Sequence, residues 1–385
     1  MTQGFSQKEY ARRIGSIADR IQARGVDGAL VFDPYNVFYL GLYYHPGKRP
    51  VILYVHYDGT VVAVTPAMEA HEARKVEHFA AVDAYEDNYA EGADVYDCLK
   101  ATLTQGFGKL QKVAVDQVGL AAYRRLTEIF PEVVEEDLVF HSRILKSEEE
   151  VAMLKRSAAY SDHIVAAGRK LLAPGVTELG LLNRMIVETV DQMIEDMGDV
   201  IYVPGGPAGA LVPSGPRTAL PHALPSGRRL RANEPMILSC GANVWGYRTE
   251  CERTFFVGSP SPEWCKAFEV MVQAQALGIT LMQPGAVCEE IDREVAAFIR
   301  AEGYGDAIRH RTGHGKGLEE HEPPYIAMGD RTVIQPGMIF SSEPGIYIEG
   351  FSGFRHSDII WASEDGPVVL TQYPKDLESM VVPIA

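Results

Sequence analysis

The chain has 385 residues, 46% hydrophobic and 23% charged, an ordinary globular composition with enough apolar material for two cores. Its formal net charge of -16 argues against nucleic acid or an anionic membrane as a partner, because both require a basic face. The sequence offers no uninterrupted apolar run able to span a bilayer, and residues 10–24 are arginine-rich rather than an apolar leader core, so a cytoplasmic protein is expected.

Ser6 can cap an amphipathic helix from Gln7 to about Arg24, ended by Gly25. A strand follows at Gly28 to Phe32, then a turn at Asp33-Pro34-Tyr35-Asn36. Val51 to Tyr57 and Val61 to Thr65, joined by Asp58-Gly59, read as a hairpin. Helices at Ala67 to Lys75, Asp94 to Thr104 and Ala121 to Ile129 alternate with strands near Phe79 to Tyr85 and Lys112 to Val115, which predicts an α/β domain. The loop Tyr39 to Arg49 gathers Tyr43, Tyr44, His45, Lys48 and Arg49 around a Pro-Gly turn, as a ligand lid, an interface or a solvated turn would.

A boundary near Phe140 to Ser147 divides the chain into domains 1–146 and 147–385. Ser147-Glu148-Glu149-Glu150 is a capping box that launches a helix to about Leu172. The phrase LLAPGVTE breaks it and opens a second helix to about Met197. A helix from Pro262 to Met282, the phrase LMQPGAVCEE and a helix to Glu302 repeat that order 110 residues later. This predicts an internal duplication of helix-pair-plus-strand units.

Between the two helix pairs, Pro235 to Gly258 reads as a hairpin turning through Gly241 to Gly246. Strand alternation puts Arg248, Glu250 and Glu252 on one face, and Tyr247, Thr249 and Cys251 on the other. A solvated face would suit such a strip, but the closely flanking apolar residues favour a buried functional one. The five cysteines are odd in number and lack CxxC spacing, so Cys240 and Cys251 are expected to pack as reduced thiols. Four further polar segments carry chemistry-bearing groups: Pro221-His222-Ala223 after the Gly/Pro-rich loop 204–215, Gly313 to Glu322, Ser341 to Gly345, and Gly353 to Asp358. A lone histidine is usually structural, but four such segments in one domain point to a site.

The strings ERTFFVG, GHGKGLEEHEPP, SSEPGIY and GFRHSDIIWASEDGPVVLT resemble those of the peptidase M24 superfamily, the pita-bread-fold enzymes that include prolidase, aminopeptidase P, methionine aminopeptidase and creatinase. The resemblance implies an RNase-H-like α/β N-terminal domain of creatinase type. It also implies an α+β pita-bread C-terminal domain with pseudo-twofold internal duplication, and a homodimer in which the partner's N-terminal domain lies near the active site. Metallopeptidases of this family hold two divalent metals on Asp, Asp, His, Glu and Glu, and those positions fall here on Ser239, Glu250, His314, Glu343 and Ser357. A serine hydroxyl stays protonated near neutral pH and brings no charge to offset a dication, which argues against a two-metal centre. One divalent metal on Glu250, His314 and Glu343 stays open.

The pattern is also similar to metal-free creatinase, through His222, Glu252, His314 and Glu343 as catalytic residues. Two departures stand out, because creatinase has an aromatic residue at the position of Arg248 and a substrate-binding arginine near that of Tyr325. Arg248, Glu250, His321, Tyr325 and Arg49 are the substrate-binding candidates. The expectation is therefore a metal-independent, creatinase-like hydrolase without a cofactor, cleaving a C–N bond of a small amide, amidine or guanidino compound with His222 as general acid/base. The alternatives are an Xaa-Pro dipeptidase or aminopeptidase with an altered one-metal site, and a non-catalytic pita-bread binding module.

Overall fold

Ser6 Oγ accepts the Glu9 amide at 3.1 Å and so opens the helix Gln7–Arg24, which Gly25 ends, in a computed structural model describing residues 4–41, 49–86, 94–198, 200 and 206–384. Tyr43, Tyr44, His45, Lys48 and the start of the loop 204–215 lie outside the described residues. The chain divides into two compact units at Arg143/Ile144.

The N-terminal unit is a six-stranded mixed sheet in the order Phe79–Tyr85, Val61–Pro66, Ile52–His56, Gly28–Val31, Lys112–Val115, Glu132–Glu135. Ile52–His56 pairs antiparallel with both Val61–Pro66 and Gly28–Val31, and the other three pairings are parallel. Two segments depart from the sequence reading. The expected turn at Asp33 to Asn36 is the start of a short helix, Pro34–Tyr39, because Asp33 accepts the Tyr35 and Asn36 amides. The expected helix at Ala67 to Lys75 shrinks to Ala70–Ala73, whose N-terminus has no side-chain cap.

The C-terminal unit shows the duplication in its backbone. Helices Glu148–Leu171 and Glu178–Met197 match Pro262–Leu281 and Cys288–Ala301. The turn between each pair docks the same way: the Gly175 amide donates to Leu230 O and the Gly285 amide to Ile334 O, both at 2.8 Å. Each returning segment then leads into a core strand, Glu234–Val244 or Ile339–Ser342, through Met236 and Leu238 or Phe340. The helices cover a four-stranded sheet (Val381–Val382, Tyr247–Val257, Glu234–Val244, Ala208–Leu211) and a five-stranded one (Glu322–Ile326, Gly313–Gly315, Ile339–Ser342, Asp358–Ser363, Gly366–Val369). Cys240 and Cys251 pack in this core, where burial pushes both thiols up.

The hairpin strands run further than expected. Strand Glu234–Val244 continues past Gly241, and the turn is Trp245-Gly246 alone, with φ 52° and 82°. Two consecutive positive φ values are those of a type I′ turn, whose twist suits a tight hairpin. The resulting register sets Ser239 opposite Glu252, Gly241 opposite Glu250 and Asn243 opposite Arg248. A bridge between Glu252 and Ser357 ties this hairpin to the segment entering Asp358–Ser363. Beside it Arg253 Nη2 meets Asp358 Oδ1 at 2.7 Å with neither side chain exposed. Among the described residues, no helix is long and apolar enough to cross a membrane.

Candidate active site

His222, Glu250, Glu252, His321, Glu343 and Arg355 line one cavity of about 320 Å³ in the C-terminal unit. Arg248 and Ser239 line it too, so the polar face of the hairpin is a wall of the cavity, as strand alternation predicts.

On the hairpin wall each carboxylate faces a cation of the chain itself. Lys316, fully buried, places Nζ 2.6 Å from Glu250 Oε2, and Ser357 Oγ donates to Glu250 Oε1 at 2.8 Å. Arg355 Nη2 donates to Glu252 Oε1 at 2.9 Å and to Ser239 Oγ at 3.1 Å, while its Nε pairs with Glu252 Oε2 and Ser239 Oγ donates to Glu252 Oε1. Behind Arg355, Nη1 donates to the Tyr347 hydroxyl at 3.2 Å, and that oxygen lies 2.8 Å from His310 Nε2. Burial, only partly offset by Arg355, pushes the Glu252 carboxyl up to about 7, with Glu250 and Glu343 adding to the rise. Burial would lower Lys316, but Glu250 and Glu320 outweigh it and hold the ammonium charged. At the outer end, Arg248 Nη1 donates to Glu320 Oε1 at 2.6 Å and Nε to Leu318 O at 3.1 Å.

The opposite wall is the glycine loop. A Cβ on Gly313 would collide with the Ser341 carbonyl, and one on Gly315 would sit 2.6 Å from Glu322 O, so these glycines let the strand lie between its neighbours. His314 Nδ1 lies 3.0 Å from Gly315 O, and a carbonyl can only accept, so Nδ1 carries a proton. Nε2 then turns toward Glu343 Oε1, 3.1 Å away, and is a buried nitrogen without a regular hydrogen bond among the described residues. The His321 ring packs 4.2 Å from that of His314. Burial and the like charges of His314 and Lys316 hold His321 down at about 4, so it is neutral at neutral pH. Burial would raise Glu343, but the adjacent His314, helped by His310 and Arg355, holds it below the usual carboxylate range.

Ligand atoms of His314, His321 and Glu343 lie within 4.8 Å of one another. Two imidazoles and a carboxylate at this spacing, one nitrogen of them without a hydrogen-bond partner among the described residues, suit a single divalent cation. Of the expected set of Glu250, His314 and Glu343, Glu250 has both oxygens engaged by Lys316 and Ser357, and His321 is the third group that lies close to His314 and Glu343. A pair of dications does not fit while Lys316 and Arg355 neutralise Glu250 and Glu252, and Ser239 and Ser357 add hydrogen bonds to those acids but no negative charge.

The structure places the remaining candidates as follows. His222 is exposed at the cavity, on a loop held where Thr218 Oγ1 accepts the Gly353 amide at 2.8 Å. Tyr325 does not line the cavity; it stands opposite His314 in the strand register, but its ring lies under Arg311, 4.6 Å from the guanidinium carbon. Arg49 belongs to the N-terminal unit, where its Nη1 donates to Met68 Sδ at 3.3 Å. His356 is buried edge-on to Phe268 and is structural. Sequence reasoning assigns no role to Lys316, Arg355, Tyr347 or His310, and the one available signal was a lysine flanked by glycines two residues after His314.

Residues 152–364 match the metallopeptidase family M24 and residues 13–146 the creatinase/prolidase N-terminal domain. The chain belongs to metallopeptidase family M24. It is thus a two-domain pita-bread hydrolase of C–N bonds. Its fold is similar to that of an Xaa-Pro dipeptidase from Bacillus anthracis (TM-score 0.84, 26% identity, covering 97% of this chain and 100% of that one). Dipeptidase PepE from Mycobacterium ulcerans (0.84, 28%, 99% and 100%) and a prolidase from Thermococcus sibiricus (0.84, 27%, 98% and 100%) are equally similar. Within the M24 family these relatives favour the dipeptidase alternative over the metal-independent, creatinase-like expectation.

Proposed function

We propose that the protein is a dipeptidase-type hydrolase of a small peptide, working with one divalent cation held by His314, His321 and Glu343. The observation that carries this reading is the orphaned, buried Nε2 of His314, set against Glu343 and His321 on the wall of a cavity large enough for a dipeptide. The similar structures are those of an Xaa-Pro dipeptidase, a dipeptidase and a prolidase, which supports the substrate class.

The cation would supply Lewis-acid polarisation of the scissile carbonyl and a lowered pKa for water. The chain's own residues do the rest. Glu252, titrating at about 7, is matched to accept a proton from water at neutral pH. Arg355 fixes the orientation of that carboxylate through two nitrogens. His222, exposed on the same cavity, donates the proton that the departing amine needs. Arg248 on the hairpin wall orients the substrate's terminal carboxylate through its planar fork. The homodimer implied by the family resemblance belongs to the same proposal and is checked by analytical ultracentrifugation.

A panel of dipeptides, Xaa-Pro included, assayed before and after chelation tests the reading. Dipeptide hydrolysis lost to chelator and restored by Mn²⁺ or Zn²⁺ is expected. Chelator-resistant turnover of amidine or guanidino compounds, with no dipeptide cleaved, would reinstate the creatinase-like mechanism.

A further inference from the structure

Lys316 is a fully buried lysine whose ammonium never reaches the cavity surface, so it does not touch substrate. A buried charge persists only where partners compensate it. Here Nζ lies 2.6 Å from Glu250 Oε2, donates to Glu320 O at 2.8 Å, and is 3.7 Å from Glu320 Oε2. Glu250 in turn lies 3.8 Å from His314 Nε2, next to the candidate cation set, with its other oxygen taken by Ser357 Oγ. A carboxylate on the edge of that set is thus neutralised from inside the protein.

We propose that Lys316 is a positioning residue that serves as a permanent cation of the site: it withholds Glu250 from divalent ions and so limits the site to one fewer than its acids could hold. The inference rests on the one-cation reading above. Its test counts ions rather than turnover, so a failure to cleave dipeptides leaves it standing. Lys316 sits between Gly315 and Gly317, and its amide donates to Ile339 O at 2.9 Å, so the backbone position is fixed by the sheet and not by the ammonium. A methionine there keeps an unbranched stem and removes the charge.

The full-length protein, stripped with chelator and dialysed against Mn²⁺, is assayed for bound metal by mass spectrometry and calorimetry. Lys316→Met is expected to take up one more Mn²⁺ per chain than the wild type, and its melting point to rise further on Mn²⁺ addition. Lys316→Arg, which keeps the charge, is expected to bind as the wild type does. Equal ion counts in Lys316→Met and wild type would overturn the proposal, whereas a purely packing role would shift the melting point and leave the count alone. Should Lys316→Met fail to fold, Glu250→Gln decides. Wild-type Mn²⁺ affinity is expected in it, and a loss of about tenfold or more, as ligand-shell changes bring, would show that Glu250 is a ligand and overturn the proposal.

Discussion

Two walls of one cavity use similar acids in opposite electrical settings. On the hairpin wall, Glu250 faces Lys316 and Glu252 faces Arg355, so each negative charge has a covalently attached positive one. On the glycine-loop wall, Glu343 faces His314 and His321, and among the described residues no lysine or arginine forms an ion pair with it. The difference teaches where an exogenous cation belongs. Displacing a buried ammonium from its carboxylate leaves a bare charge in a medium of low polarisability, which is strongly unfavourable. Placing a dication among two imidazoles and a carboxylate displaces no lysine or arginine of the chain from a partner.

Glu343→Gln strikes the wall that lacks a built-in cation and has the largest expected effect. It should lower kcat/KM by about 10³- to 10⁴-fold, roughly 4–5 kcal/mol of transition-state stabilisation, and abolish Mn²⁺ uptake. Retained uptake measured by calorimetry would erase the contrast between the walls. Arg253→Met removes one partner of a pair with neither side chain exposed. It should destabilise the fold by about 3–5 kcal/mol in denaturant titration, while kcat/KM per folded molecule stays put. That outcome separates the structural ion pair behind the hairpin from the pairs on its cavity face.

His222→Ala should lower kcat by about 10²- to 10³-fold, roughly 3–4 kcal/mol, with no change in melting point because the side chain is exposed. Unchanged kcat would remove His222 from the chemistry. The smallest effect concerns Glu252. Its folded pKa of about 7 lies above the ordinary glutamate value of 4.5, so the native state binds more protons than the unfolded chain between those values and stability falls as pH rises through that window. Glu252→Gln cannot ionise, and its stability relative to wild type should therefore improve by about 1–3 kcal/mol from pH 5 to pH 8 in denaturation curves. A relative stability that stays flat from pH 5 to pH 8 would mean that Arg355 keeps Glu252 ionised throughout.

Much of the fold was legible in local chemistry. Ser6 and Ser147 both cap as read, Gly25 stops the first helix, and the Pro-Gly phrases at Pro174 and Pro284 do mark equivalent turns. The helix at Ala67 to Lys75 failed because composition alone suggested it and no side chain caps its start. The hairpin's polar face was legible too, since alternation alone puts Arg248, Glu250 and Glu252 on one side.

The electrical state of that face was not legible. Between His314 and Gly315 the strand register shifts, so alternation counted from His314 does not say where Lys316 points. Arg355 reaches Glu252 across a bridge formed more than 100 residues later in the chain, which no local pattern reports. Tyr325 was misplaced for a related reason: its backbone faces His314, but its ring turns to Arg311. Counting ligand types at family positions likewise leaves out the internal cations Lys316 and Arg355 and the closeness of His321 to His314.

Anomalous diffraction from crystals of the wild-type protein grown with Mn²⁺ tests the contrast between the walls most directly. One ion per chain, coordinated by His314, His321 and Glu343 with Glu250 still on Lys316, is the predicted result. Two ions per chain, or any ion with Glu250 or Glu252 among its ligands, would contradict it.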